Sequence, residues 1–174
     1  MLGATTHSSS VFHLTVMLYY KVLYRLSVCP RQVHQLTNSK DYELRISARL
    51  ENGSNFFMQY KQFNVTGVET GYRLYFNQTD FNDTYLLGDC FSDLYGAQFS
   101  AFDHDNDEDN GVNCAAKHGG GWWFRGSNCS TCNPTGSLPT STDELRSGVD
   151  TEIFWTRDMG DLAISKLSMF LVVI

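Results

Sequence analysis

From Asp41 to Gly67 apolar and polar residues alternate with a period of two. Tyr42, Leu44, Ile46 and Ala48 fall on one side, with Glu43, Arg45, Ser47 and Arg49 on the other. Successive side chains of an extended chain point to opposite faces, so the pattern predicts a half-buried strand. Asn52-Gly53 predicts a hairpin turn, and a second turn is expected near Gly67. "GYRLYFNQT" adds a short strand, with Tyr72, Leu74 and Phe76 on one side. The connections are short, which favours antiparallel pairing over crossovers.

Upstream the period changes. In "VFHLTVMLYYKVLYRLSV" (11–28), Phe12, Val16, Tyr19, Leu23 and Leu26 recur at helical spacing and predict an amphipathic helix. A membrane span is disfavoured, because Lys21 and Arg25 would each cost on the order of 3 kcal/mol in the bilayer centre. No apolar stretch with basic residues before it and a small-residue cleavage site after it is visible, so a degenerate signal sequence stays open. Residues 1–30 are therefore set apart as an unassigned amphipathic or signal-like segment, and residues 31–174 as the domain proper.

From Thr79 to Gly148 the chain turns loop-rich, with Pro134 and Pro139 preventing regular ladders locally. Irregular stretches this long are usually functional or cross-linked. The end, "EIFWTRDMGDLAISKLSMFLVVI", returns to strand-like content, and Leu162, Ile164, Leu167 and Phe170 are expected to close the sheet.

A chain of 174 residues with 42% apolar and 18% charged residues folds around a core rather than staying disordered. The net charge of −6 repels phosphate backbones, so nucleic acid is not an expected partner. Glycosylation sequons at Asn52, Asn64, Asn77, Asn82 and Asn128 favour a secreted chain, where Cys29, Cys90, Cys114, Cys129 and Cys132 can form disulfides.

Candidate chemistry concentrates in "DHDNDEDNGVNC" (103–114). Asp103, Asp105, Asp107, Glu108 and Asp109 crowd like charges together, and alternating aspartates supply the oxygen ligands that Ca²⁺ takes at irregular angles. An EF-hand needs glycine at the sixth loop position and glutamate at the twelfth. Counting from Asp103 gives Glu108 and Cys114, and from Asp105 gives Asn110 and Ala116, so this is not one. A solvated acidic loop is the plain alternative.

With these motifs in place, "FSAFDHDNDEDNGVNCAAKHGGGWWFRGSNC" (99–129) resembles the C-terminal half of a fibrinogen-like domain: phenylalanine-serine, an aspartate-rich calcium loop, asparagine-cysteine, glycine, paired tryptophans and a partner cysteine. "VHQLT", "YELRI", "LLGDCFSDLYGAQFS" and "IFW" are similar to other segments of the family, and the likeness covers about residues 31 to 174. The family's opening section is missing, and residues 1–30 look unrelated.

The resemblance implies an α+β fold with a twisted antiparallel sheet, short helices and long calcium-stabilised loops. It implies Ca²⁺ held by the Asp105 and Asp107 carboxylates with backbone carbonyls near Asp109 and Gly111, and a Cys114–Cys129 disulfide. Beside these it implies a pocket shaped by His118, Trp123, Phe124, Asn128, Cys129, Ser130 and Asp150. Family pockets of this kind receive acetylated sugars or the amino-terminal knobs of a partner chain. Ser130 stands where the family commonly has histidine, and two extra residues lie between Trp123 and Cys129.

Other chemistry fits less well. Cys129-Ser-Thr-Cys132 lacks the second pair that zinc needs, and Cys132 is expected to pair with Cys90 or stay free; Cys29 has no evident partner. His104 lies among aspartates, but nothing supplies a nucleophile or oxyanion hole, so no enzyme is expected. Trp122 and Trp123 are more often core than platform, and alternation turns one each way. The expected function is a secreted, calcium-dependent, lectin-like module binding acetylated glycans in innate immunity. The alternative is an adhesion or signalling domain for a protein partner; a homo-oligomer stays open.

Overall fold

The computed structural model describes residues 12–18, 22–77, 88–136, 151–155 and 164–174, and of 12–18 and 22–28 the backbone alone. In chain order the elements are β1 (Phe12–Leu18), β2 (Val22–Val28), α1 (Pro30–Thr37), β3 (Tyr42–Leu50), β4 (Asn55–Val65), β5 (Leu74–Asn77), α2 (Cys114–Lys117), β6 (Cys132–Asn133), β7 (Phe154–Trp155) and β8 (Ile164–Val173). One sheet runs β2-β1-β8-β3-β4-β5, and β6 and β7 form a small second ladder. The large sheet is antiparallel except where β1 runs parallel to β8. Among the described residues no helix is long and apolar enough to cross a membrane.

The period-two pattern of β3 is realised in its burial. Tyr42, Leu44, Ile46, Ala48 and Leu50 are buried, while Arg45 and Arg49 are exposed. Glu43 departs from the pattern: it is buried on the outer face, where Arg45 Nε and Gln59 Nε2 each donate to its carboxylate at 2.5 Å. A carboxylate removed from water is tolerated only when so satisfied. The following hairpin turns at Gly53 (φ +88°), and Asn52 Oδ1 accepts from Ser54 N at 2.9 Å. That φ is open to glycine at no steric cost.

Across from β3, Leu44 pairs with Tyr60 and Ile46 with Met58, so both inner faces enter one core. Tyr60 stacks on Phe91 at 4.7 Å and meets Phe76 edge-on at 4.9 Å. Phe91 in turn meets Trp122 at 5.3 Å, and this chain of rings joins the sheet to the loop-rich segment. Each such ring contributes roughly 1.5–3 kcal/mol by leaving water. The Tyr60 hydroxyl donates to Asp89 at 3.0 Å; burial, reinforced by the Asp89 charge, pushes the phenol far above its ordinary range.

Three expectations change. Residues 12–18 and 22–28 are not helical but two antiparallel strands inside the large sheet, which therefore takes in part of the segment set apart in the sequence. Phe12, Leu14, Val16 and Leu18 also recur every second residue, and pairing with β2 along their length, and with β8 around Val16, satisfies their backbone as strand. β5 starts at Leu74, because Tyr72 adopts φ +54° and leaves the face shared by Leu74 and Phe76. β8 lies in the middle of the sheet rather than closing it. There Leu167, Met169 and Leu171 stand opposite Ala48, Ile46 and Leu44, while Phe170 pairs with Arg45 on the other face. Leu162 lies outside the described residues.

Two disulfides tie the loops, Cys114–Cys129 with Cα atoms 5.4 Å apart and Cys90–Cys132 at 6.0 Å. Cys129 and Cys132 thus bond to different partners, which removes the zinc reading. Cys29, at the start of α1, carries a free thiol.

Candidate calcium loop and recognition surface

The acidic run begins where Ser100 and Trp122 exchange backbone hydrogen bonds at 2.9 and 3.1 Å. Ala101 and His104 exchange another pair at 2.9 and 3.1 Å, closing a turn at Phe102-Asp103. The chain then bends at every second residue. Asp105 Oδ1 accepts from Asp107 N at 3.3 Å, Asp107 Oδ1 from Asp109 N at 3.0 Å, and Asp109 Oδ1 from Gly111 N at 2.9 Å. An aspartate that caps the amide two residues on makes a local turn, so three in series curl the run compactly. Ser100 anchors its start, its Oγ accepting from Asn106 N at 2.6 Å.

Asp107 is the hub. Its second oxygen, Oδ2, accepts from Cys114 N at 2.9 Å, where Asn113 caps α2 through Ala116 N at 2.8 Å. Partial burial raises the Asp107 pKa, the amides of Cys114 and Asp109 oppose this, and the neighbouring Asp105 carboxylate pushes it up again. Two carboxylates pressed together in this way are relieved by a cation. Asp109 turns its carboxylate to the disulfide, with its oxygen and both sulfurs within 4.8 Å of one another. Sulfurs bonded to each other offer no thiolate, so the donors are all oxygen, which suits Ca²⁺ rather than a soft metal. Asp105 and Asp107 would hold it by carboxylates, and Asp109 and Gly111 by carbonyls. Glu108 is engaged elsewhere, with Arg125 Nε at 3.2 Å.

The aromatic residues expected to wall a pocket are placed differently. Trp123 is 1% exposed; its indole donates to Tyr72 O at 2.7 Å, and its ring meets Phe99 at 5.2 Å. Trp122 packs on Phe91 instead, so the two rings take different partners and both lie in the core. Trp123 is therefore engaged in the core through both its indole N–H and its ring. Phe124 is buried too, stacked on the buried His118 ring at 5.4 Å.

What remains at the surface is the strand of backbone past the disulfide. Asn128 is exposed, Ser130 is half-buried, and Cys129 between them is buried with φ +63°. Asn128 O accepts from Ser130 N at 2.7 Å, and Arg125 N donates to Cys129 O at 2.6 Å. Left-handed backbone at a residue with a side chain costs about 1–3 kcal/mol and persists only where its surroundings hold it, here through the disulfide. Asp150 and Asn82 lie outside the described residues. Of the other sequons, Asn52 and Asn77 are exposed, and the half-buried Asn64 donates its amide to Thr37 O at 3.2 Å.

Asn133 escaped sequence reasoning. It is fully buried; its Nδ2 donates to His118 O at 3.1 Å and Glu152 O at 3.2 Å, and its Oδ1 accepts from Thr135 at 3.1 Å. Gly136 lies against the same segment, where a Cβ would come within 2.5 Å of the Glu152 carbonyl. A lone asparagine in a two-residue strand has no periodicity to mark it.

The family described as "Fibrinogen beta and gamma chains, C-terminal globular domain" matches residues 27–172. The chain belongs to this family. Similar proteins include lamprey (Petromyzon marinus) fibrinogen beta chain, 32% identical over 61% of this chain and 25% of that protein, and human ficolin-3, 32% identical over 63% and 34%. This fibrinogen-like domain thus spans about a quarter to a third of the length of those relatives. The fibrinogen-like globe domain of human ANGPTL2 superposes with a TM-score of 0.73 at 25% identity, covering 86% of this chain and 66% of that one. Lamprey fibrin D-dimer, solved with the peptide ligand Gly-His-Arg-Pro-amide, shares the fold at a TM-score of 0.71 and 21% identity, over 91% and 53%. The α+β globe is that of the family, and the domain is a recognition module of a generally non-enzymatic kind.

Proposed function

We propose that this fibrinogen-like domain is a secreted, calcium-dependent recognition module that binds acetylated glycans, in the manner of innate-immune lectins. The observation that carries this reading is the short path from the carboxylates to the surface: Asp107 caps Cys114, Cys114 is bonded to Cys129, and Cys129 holds the strained turn between Asn128 and Ser130. An ion gathering Asp105 and Asp107 fixes that turn. The Asn128 amide and Ser130 hydroxyl then offer hydrogen bonds to a sugar. Disulfides and sequons support an extracellular setting.

An array of N-acetylated sugars, read in calcium and again in EGTA, tests this. Binding that disappears in EGTA is expected; no binding to any acetylated sugar by calcium-loaded protein overturns it.

A protein partner is the second reading, favoured by three exposed apolar side chains near the loop: Phe102 at 54%, Val112 at 44% and Tyr95 at 47% exposure. Asn113 Nδ2, bonded to Ala101 O and Phe102 O at 3.4 Å, brings the Val112 segment beside Phe102. Exposed apolar clusters mark protein contacts. Cell binding that survives competing acetylated sugar but falls in Phe102→Ser with Val112→Ser would select this reading.

A further inference from the structure

The outer face of the sheet has a charge opposite to that of the whole molecule. Arg45 and Arg49 on β3, Lys61 on β4 and Lys166 on β8 are all exposed, in a chain of net charge −6. Register places Arg45, Arg49 and Lys166 on one face, since Arg49 stands directly opposite Lys166, and Arg45 opposite Gln59, two residues before Lys61. Glu43, the one carboxylate among the paired positions of this face on β3, β4 and β8, is buried and occupied by Arg45 and Gln59. Glu51 follows only in the hairpin turn.

We propose that this face binds a sulfated polysaccharide. Arg45 and Arg49 lie four strand residues apart, about 13 Å, and Arg49 and Lys166 sit on adjacent strands about 5 Å apart. The cations therefore form an extended row rather than a single pocket, which matches a linear polyanion. Like charges directly opposite in a sheet repel, so the Arg49–Lys166 pair gains from an anion laid across it. Phe57, 57% exposed, and Phe170 interleave with the cations. Their faces can receive the apolar C–H side of a sugar ring, which duplex nucleic acid does not offer. The paired positions of this face are all strand, and among the described residues no helix is long and apolar enough to cross a bilayer. It lies on the far side of the sheet from the Tyr60–Phe91–Trp122 ring chain, so binding here is independent of the calcium loop.

The test is binding of the full chain to immobilised heparin in EDTA, with rising salt. Wild type should bind and be released by salt, and Arg49→Gln, Lys61→Gln and Lys166→Gln combined should weaken binding about tenfold or more while leaving the melting curve in place. Arg45 is left intact because it satisfies Glu43. Chemically desulfated heparin should bind poorly. Absence of wild-type binding at low salt, a triple variant equal to wild type, or stronger binding to duplex DNA or phosphatidylserine vesicles than to heparin each overturns the proposal. Because calcium is absent throughout, failure here leaves the calcium-dependent site untouched, and failure of the sugar array leaves this face untouched.

Discussion

Asn133→Ala is the sharpest probe of how the recognition surface is held. The wild-type side chain is 0% exposed and makes three hydrogen bonds, joining the backbone after α2, the Thr135 turn and the segment at Glu152. Truncation strands two carbonyls and a hydroxyl in a place water reaches poorly. At roughly 1 kcal/mol for each lost bond, plus the cost of leaving buried groups unsatisfied, the loss comes to about 4 kcal/mol. For a chain of this length each kcal/mol lowers Tm by about 2–4 °C, so the melting midpoint should fall by about 8–16 °C. Thermal and urea unfolding followed by circular dichroism would read it, with an unchanged m-value indicating that the folded state keeps its extent. Asn133→Asp keeps the shape but replaces two N–H donors with a charge facing two carbonyls, and should be at least as damaging. Asn128→Ala, at an exposed position, should stay within about 0.5 kcal/mol of wild type. If Asn133→Ala also stayed within 1 kcal/mol, or Asn133→Asp were tolerated, the assigned bonds would not be what holds these segments together.

Calcium at about a hundredfold over its Kd should stabilise the domain by about 2.7 kcal/mol, a rise of roughly 5–11 °C that EGTA abolishes. Asp105→Asn should lose this gain yet melt no lower than ion-free wild type, since it relieves the crowding of Asp107 while keeping an oxygen for the Asp107 amide. Cys90→Ser with Cys132→Ser opens a loop of 42 residues and should cost about 4 kcal/mol from chain entropy, measured by urea unfolding under oxidising conditions. Tyr60 bears on alkaline stability. Its folded pKa is raised, so its contribution is complete below pH 10 and lost above it, because only the unfolded chain releases the proton. The slope should approach 1.4 kcal/mol per pH unit there, and Tyr60→Phe should flatten it in urea titrations between pH 9 and 11.5.

The parts of the fold legible in the sequence were those with a local period. β3 and the Asn52-Gly53 turn state their geometry within a few residues, and the ordered motifs of 99–129 carried the family. The strands at 12–18 and 22–28 were not legible, because their apolar residues satisfy both a helical and an alternating pattern, and only pairing, with each other and with the distant β8, selects the strand. Burial of Trp123 was equally hidden. Adjacent tryptophans say that two rings leave the chain in different directions, but that both directions lead inward depends on Phe99 and Tyr72 arriving from elsewhere. Asn133 depends on three separated segments meeting.

The two cysteines of Cys129-Ser-Thr-Cys132 divide the work of fixing one short segment. Cys129 is bonded to the first residue of α2, whose amide is capped by Asp107, and Cys132 to Cys90, next to the Asp89 that receives the Tyr60 hydroxyl. One end of the segment is therefore referred to the acidic loop and the other to the sheet core. A change in the acidic loop can reach Asn128–Ser130 through the first of these, and through Glu108, whose partner Arg125 donates its amide to Cys129 O, whereas the second is held by fully buried rings. The left-handed turn at Cys129 sits at the junction, where strain is sustained by both anchors and a small displacement of α2 alters the backbone presented to solvent. Under the proposed function, that division is the route by which a loop of aspartates, none of which needs to touch a ligand, would set the geometry of the surface beside it.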